Sequence, residues 1–353
     1  MKQPTARRPM PPEVAAASQS AHLGGYVKIQ KVGTGSMGEV YKAWDLKEAR
    51  WVALKILRSN DRDQLKRFMR ESEVAMKLKH RNITTTYDAG NDKGQWYIAM
   101  QFVGGHTLKV FPRASHRISV ELMRDAARAI EYAHRLGTIH RDLKPENFMV
   151  QSQPKPGGNP KSIEGCSHQV FVMDFGIARE STATTQLTMP GTVMGSPSYM
   201  SPEQALGLPV DHRADVYALG ATLYDRLTGK PPVESKNIFE ALRLVQEAIP
   251  THPKDKDPSI DAELDAIVMK SLEKKADKRH QTAGELADAL DAWVQSAYAP
   301  GASAVAPTTA PAKKAGCGKA AAWLLAAGTV AGVAIAHAMV WAAALVRTGM
   351  VAP

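Results

Sequence analysis

The feature that most constrains this chain is a change of texture at Gly104–Gly105. Before it, the runs YVKIQKV, EVYKAWD, WVALKIL and WYIAMQFV are short, β-branched and aromatic, and turn residues separate them, which predicts strands. One helical pattern, from Arg62 to Leu78, interrupts them. After it come amphipathic segments of helical period: VELMRDAARAIEYAHRLG, VYALGATLYDRLTG, IFEALRLVQEAI, LDAIVMKSLEK and AGELADALDAWVQSAY. The order predicts an α+β fold in which a small antiparallel-sheet lobe precedes a larger helical one. Between Gln151 and Gln169 a stretch dense in Pro and Gly predicts a surface loop joining the short strands FMV and VFVM.

Composition matters mainly at the ends. The 353 residues are 44% hydrophobic and 23% charged, enough for a real core. Residues 1–22 carry four prolines and no apolar periodicity, and disorder is expected there. Residues 297–319 are rich in Ala, Pro and Thr and read as an extended linker. Residues 320–346 contain no charge; as a helix they would span roughly 40 Å against a hydrocarbon core of about 30 Å. A single transmembrane helix is expected there, with 347–353 as a short tail. Cys166 and Cys317 have neither disulfide-framework nor metal-ligand spacing. The net charge of +10 admits an acidic partner, but aromatics are too sparse for a stacking platform, so no nucleic-acid partner is expected.

Four motifs carry chemistry. Gly33-Thr34-Gly35-Ser36-Met37-Gly38-Glu39-Val40 lies between two strands; its glycines let backbone approach phosphate, though glycine hairpin turns are also common. Lys55 stands inside an apolar strand, either as a snorkelling edge lysine or as a phosphate clamp steadied by Glu71 on the next helix. His140-Arg141-Asp142-Leu143-Lys144-Pro145-Glu146-Asn147 gathers a proton acceptor, a cation and a neutral oxygen ligand for Mg²⁺ in one loop. Asp174-Phe175-Gly176, after the strand VFVM, adds a carboxylate for a hard cation.

In this order the motifs resemble the protein kinase family, closest to the bacterial, eukaryotic-like Ser/Thr kinases, over residues 23–296. The resemblance implies a bilobal fold (N-lobe 23–103, C-lobe 104–296) with ATP in the cleft and Mg²⁺, or Mn²⁺ in its place. Gly33 to Val40 would cover the phosphates, Lys55 would hold them and pair with Glu71, and Ala53 would line the ATP site. Met100 matches the gatekeeper position, and Gln101 and Val103 would offer backbone hydrogen bonds to adenine. Asp142 would orient and deprotonate the substrate hydroxyl, Lys144 would stabilise the γ-phosphate, and Asn147 and Asp174 would hold the metal. Ser201-Pro202-Glu203, Asp215 at the start of a buried helix, and Arg279 match structural positions, with Glu203 paired to Arg279. Lys144 favours Ser/Thr over Tyr, so protein substrates bearing Ser or Thr are implied. A pseudokinase scaffold or a small-molecule phosphotransferase is the alternative, yet no catalytic group is missing.

Two further expectations concern control and location. Arg141 beside Asp142 often pairs, in such kinases, with a phosphorylated loop residue. Autophosphorylation is expected at Thr188, with Thr184, Thr185 and Thr192 secondary. Lys313, Lys314 and Lys319 precede the apolar span and only Arg347 follows it. That bias predicts a single-pass protein of the inner membrane with its catalytic domain in the cytoplasm. Gly328 and Gly332 permit helix pairing, so a homodimer through that helix or the kinase domain is an expectation.

Overall fold

Chain order and side-chain alternation explain most of the architecture. The computed structural model describes residues 9–34, 38–58, 62–175, 197–235 and 237–298, leaving aside the side chains at 62–64, 66, 67 and 71. The expected membrane span, 320–346, lies outside the described residues. Among the described residues no helix is long and apolar enough to cross a membrane.

Within the stretch 1–22, the described residues include short regular elements. Helix α1 (Pro12–Ala15) and a 3-10 turn at Gln19–Ala21 are ordered. Val14 is buried with Val27 and Trp44, beside the partly buried Trp51. Proline at the first helical position starts so short a helix, and one apolar side chain anchors it.

The first lobe is a six-stranded antiparallel sheet. Its strands are β1 (His22–Leu23), β2 (Tyr26–Thr34), β3 (Gly38–Asp45), β4 (Arg50–Leu57), β5 (Thr86–Asp92) and β6 (Gln95–Gln101), ordered β1-β2-β3-β4-β6-β5. Helix α2 (Arg62–Lys77) follows β4. Register fixes the faces. Lys55 pairs with Val40 on one side and Ile98 on the other, so these three share a face. Leu57, Ile98 and Met100 of that face pack against Phe68 of α2. The opposite face holds Ala43, Val52, Leu54, Ile56, Tyr97 and Ala99 in a separate cluster with Leu23 and Tyr26.

The second lobe is helical. It contains α3 (His116–Arg135), α4 (Pro202–Ala205), α5 (Arg213–Thr228), α6 (Ile238–Glu247), α7 (Pro253–Lys256), α8 (Ala262–Ser271) and α9 (Ala283–Ala297). A small sheet, β7 (His106–Thr107), β8 (Phe148–Pro154) and β9 (Cys166–Val172), accompanies them. Every residue of α5 from Ala214 to Tyr224 is buried, so this helix is enclosed all round and forms the axis of the lobe. Gly220 lets α8 come close: a β-carbon there would lie 2.4 Å from Ser271 Cβ. Helix α5 stops at Gly229, whose φ of 83° only glycine adopts without strain.

The loop expected over 151–169 is shorter than its composition suggests. Strands β8 and β9 continue into it, pairing from Phe148↔Val172 out to Pro154↔Cys166. Pro154 is tolerated because it closes the ladder rather than interrupting it.

Candidate active site

The loop after α3 is held by one buried carboxylate. Asp215, in the first turn of α5, accepts the backbone N–H of His140 and of Arg141, each at 2.8 Å, and the Nε2 of His134 at 2.8 Å. Burial pushes the Asp215 carboxyl up, but the hydrogen bonds from His134 and from the His140 backbone outweigh it and hold it below the usual range. These bonds secure Arg141 at a φ of 65°, in the left-handed region that is strained for a residue with a β-carbon.

His140 is fully buried, and its partners set its tautomer. Nδ1 accepts from the backbone N–H of Asp142 at 3.3 Å, so Nε2 carries the proton and donates to the Met173 carbonyl at 2.9 Å. Its ring lies 4.8 Å from that of Phe175. The loop is thereby tied to the segment following β9.

Asp142 sits in a basic and amide-rich setting. Lys144 Nζ donates to its Oδ2 at 2.8 Å, and Asn147 Nδ2 donates to its carbonyl at 2.6 Å and to Oδ2 at 3.3 Å. Asn147 in turn accepts the backbone N–H of Met173 at 2.9 Å through its own carbonyl, which brings Asp174 alongside. Lys55 Nζ donates to Asp174 Oδ1 at 3.2 Å. The Lys55 ammonium holds the Asp174 carboxyl below the usual carboxylate range, against the opposing effect of burial. Asp174 nevertheless keeps 43% of its side chain exposed, so a ligand can reach it.

Four of the residues expected to meet the nucleotide lie on one face of the sheet. Val40, Ala53, Lys55 and Met100 share a sheet face, since Val40 opposes Lys55 and Ala53 opposes Met100. Gly33 pairs with Val40 and Thr34 with Glu39 at the base of the glycine turn. Gly38 has no room for a side chain, because a β-carbon would lie 1.9 Å from the Ile56 carbonyl oxygen. The Gln101 N–H donates to Thr85 O at 2.8 Å, so an adenine contact from its backbone would use the carbonyl. Val103 is buried just beyond it. Gly35, Ser36, Met37, Gly176, Thr184, Thr185, Thr188 and Thr192 lie outside the described residues, as does the side chain of Glu71.

The structural pair is explicit. Arg279 donates from its two terminal nitrogens to Glu203 Oε1 and Oε2, both at 2.8 Å, with no side-chain exposure at Arg279. Its remaining donors reach the carbonyls of Glu273, Arg213 and Lys274. A buried guanidinium is tolerable only when satisfied in this way.

Residues 26–290 match the family model described as the protein kinase domain. The chain belongs to the protein kinase family. It is 37% identical over 267 residues to the serine/threonine-protein kinase PknB of Mycobacterium leprae, covering 72% of this chain and 40% of that protein. It is 38% identical over 280 residues to PknB of Mycolicibacterium smegmatis, covering 75% and 42%. The crystal structure of the PknI kinase domain of Mycobacterium tuberculosis superposes with a TM-score of 0.59 at 28% identity, covering 78% of this chain and 99% of that one. The chain thus spans about 40% of the length of the curated relatives it matches.

As a kinase domain it places Asp142, Lys144, Asn147, Lys55 and Asp174 together, although Lys55 and Asp174 are 119 residues apart. Two supporting residues carry no signature in the sequence: His134, which bonds Asp215, and Gln204, whose Nε2 donates to the Arg141 carbonyl at 2.8 Å. His134 lies in the last turn of the amphipathic α3, where nothing in its sequence neighbourhood sets it apart.

Proposed function

We propose that this protein is a serine/threonine protein kinase that transfers the γ-phosphate of ATP to protein hydroxyls, with Asp142 as base. The observation that carries the reading is the Lys144–Asp142–Asn147 cluster, joined through Met173 to the Lys55–Asp174 pair. The relatives named as serine/threonine-protein kinases support the acceptor class. Lys55, Asp142 and Asp174 are all present, which argues against a pseudokinase scaffold.

The residues divide the work. Asp142, oriented by Lys144 and Asn147, accepts the proton of the attacking hydroxyl. Lys144 brings a cation to the same place, where negative charge is transferred. Lys55 stands on the nucleotide face of the sheet and orients phosphate oxygens. Among the described residues no group of three or more His, Cys, Asp or Glu side chains could hold a metal. One carboxylate and one carboxamide nevertheless suit Mg²⁺, which takes few protein oxygens and completes its shell with phosphate and water. Asn147 fits that part, because its amide nitrogen is engaged by Asp142 and its other end is an oxygen acceptor. Bound through Asn147 and Asp174, Mg²⁺ or Mn²⁺ would neutralise phosphate charge.

Control and location complete the reading. Among the described residues, Arg141 Nε is buried without a hydrogen-bond partner. That suits a guanidinium that receives a phosphate from Thr188 or its neighbours. The uncharged segment 320–346 acts as a single membrane anchor, with the basic residues before it keeping the kinase domain in the cytoplasm.

The test is incubation of the full chain with γ-labelled ATP, Mg²⁺ and a generic protein substrate, followed by phosphoamino-acid analysis. Label on Ser and Thr is expected. Label on Tyr alone, or on a small molecule and no protein, would refute the reading.

A further inference from the structure

Glu39 lies inside the glycine motif but on the wrong face of the sheet to touch a nucleotide. Side chains alternate along β3, and Val40 shares its face with Lys55, so Glu39 and Tyr41 point to the other side. On that side three donors converge on the Glu39 carboxylate. Lys31 Nζ of β2 donates to Oε1 at 2.6 Å, Arg58 Nη2 beyond the end of β4 donates to Oε1 at 2.6 Å, and Tyr41 Oη donates to Oε2 at 2.6 Å. An isolated surface ion pair would carry little. This one ties together three consecutive strands at the root of the glycine turn.

The backbone at that root needs such a tie. The β2–β3 ladder shifts register between Lys31 and Gly33, and only the pairs Gly33↔Val40 and Thr34↔Glu39 follow before the glycine turn. Gly38, the next residue back from Glu39, already presses on the Ile56 carbonyl, with 1.9 Å left for a β-carbon. A shift of Glu39 therefore carries Gly38 and Val40 with it. Charge supports the arrangement: hydrogen bonds from Lys31, then Tyr41 and Arg58, hold the Glu39 carboxyl down to about 2. The carboxylate is ionised at any working pH, and its two cationic partners offset its charge near a phosphate site.

We infer that Glu39 is a positioning residue for the nucleotide, a clamp on the outer face of the sheet that fixes Gly33, Thr34 and Gly38, the described ends of the glycine motif. This rests on the reading of the protein as an ATP-dependent kinase. The role predicts a split between nucleotide affinity and chemistry, because Glu39 acts on the turn and not on Asp142.

The experiment uses the full chain as wild type, Glu39→Ala, Glu39→Gln, Lys31→Met with Arg58→Met, and all three changes combined. It measures steady-state KM for ATP, KM for the protein substrate and kcat, together with ADP affinity by calorimetry. Glu39→Ala should raise KM for ATP and Kd for ADP about 5- to 20-fold, with kcat and the protein-substrate KM within about 2-fold of wild type. Glu39→Gln should fall between wild type and Glu39→Ala. The combined variant should be no worse than Glu39→Ala, since the clamp is lost once. Unchanged nucleotide affinity would overturn the inference, and so would a parallel loss of kcat and protein-substrate affinity. If the wild type transfers no phosphate, the kinase reading fails, and the ADP affinities still decide whether Glu39 positions a nucleotide.

Discussion

Asp215 accepts the backbone N–H of His140 at 2.8 Å across 75 residues of chain, so a carboxylate in the core helix sets the conformation of the loop that carries Asp142. The bond is fully buried, and the same oxygen, Oδ2, also accepts from His134. Asp215→Ala would leave two backbone N–H groups and an imidazole without an acceptor. A loss of about 2–5 kcal/mol of stability is expected by urea unfolding, at about 1–3 kcal/mol for each unsatisfied buried group before relaxation. In what remains folded, kcat should fall while KM for ATP changes little, because the nucleotide face belongs to the other lobe.

The Glu203–Arg279 pair predicts a pH dependence. Burial raises the Glu203 carboxyl, but the hydrogen bonds and charge of Arg279 prevail and hold it below the usual range. A depressed folded-state value means stability that is complete above the ordinary carboxylate pKa of about 4.3 and is lost as pH falls through the folded value. The urea midpoint should therefore be flat from neutral pH to about pH 5 and fall below about pH 4. Arg279→Met should cost about 3–5 kcal/mol at pH 7, since it strands the Glu203 charge, and should flatten the acid limb.

Lys55→Met separates function from stability. Asp174 is 43% exposed, so it can rehydrate when its partner is removed. Stability should change by less than about 1 kcal/mol. Asp174 should return toward the ordinary carboxylate range, and kcat/KM for ATP should fall about 10²- to 10⁴-fold. Thermal unfolding and kinetics on the same preparation check both halves.

Two glycines of one motif should respond differently to alanine. At Gly38 the β-carbon would meet a backbone oxygen at 1.9 Å, whereas at Gly33 the nearest atom is Val40 Cβ at 4.0 Å. Gly38→Ala should destabilise the protein by about 1–3 kcal/mol through strand displacement. Gly33→Ala should stay within about 0.5 kcal/mol of wild type in the same unfolding experiment.

Local order was legible where chemistry and pattern agreed. The strands around Lys55, the helix at 62–77 and the octapeptide ending at Asn147 all declare themselves by residue type. Strand β5 did not, because TYDAGND is poor in β-formers. It forms by pairing with β6, and Gly90 is needed where the Tyr97 hydroxyl would lie 2.6 Å from a β-carbon. Residues 12–21 were equally silent, since a single buried valine has no period. The tie from Asp215 to His140 and Arg141 depends on how two distant segments dock, and no local pattern encodes that. Glu39 shows the same limit: its role lies in partners on β2 and just past the end of β4.

The most direct measurement is the single-turnover rate of phosphoryl transfer by Asp142→Asn beside wild type, with ADP affinity measured on both. The account predicts a rate about 10²- to 10⁴-fold lower in the variant, with ADP affinity preserved. Equal rates in the two proteins would contradict it.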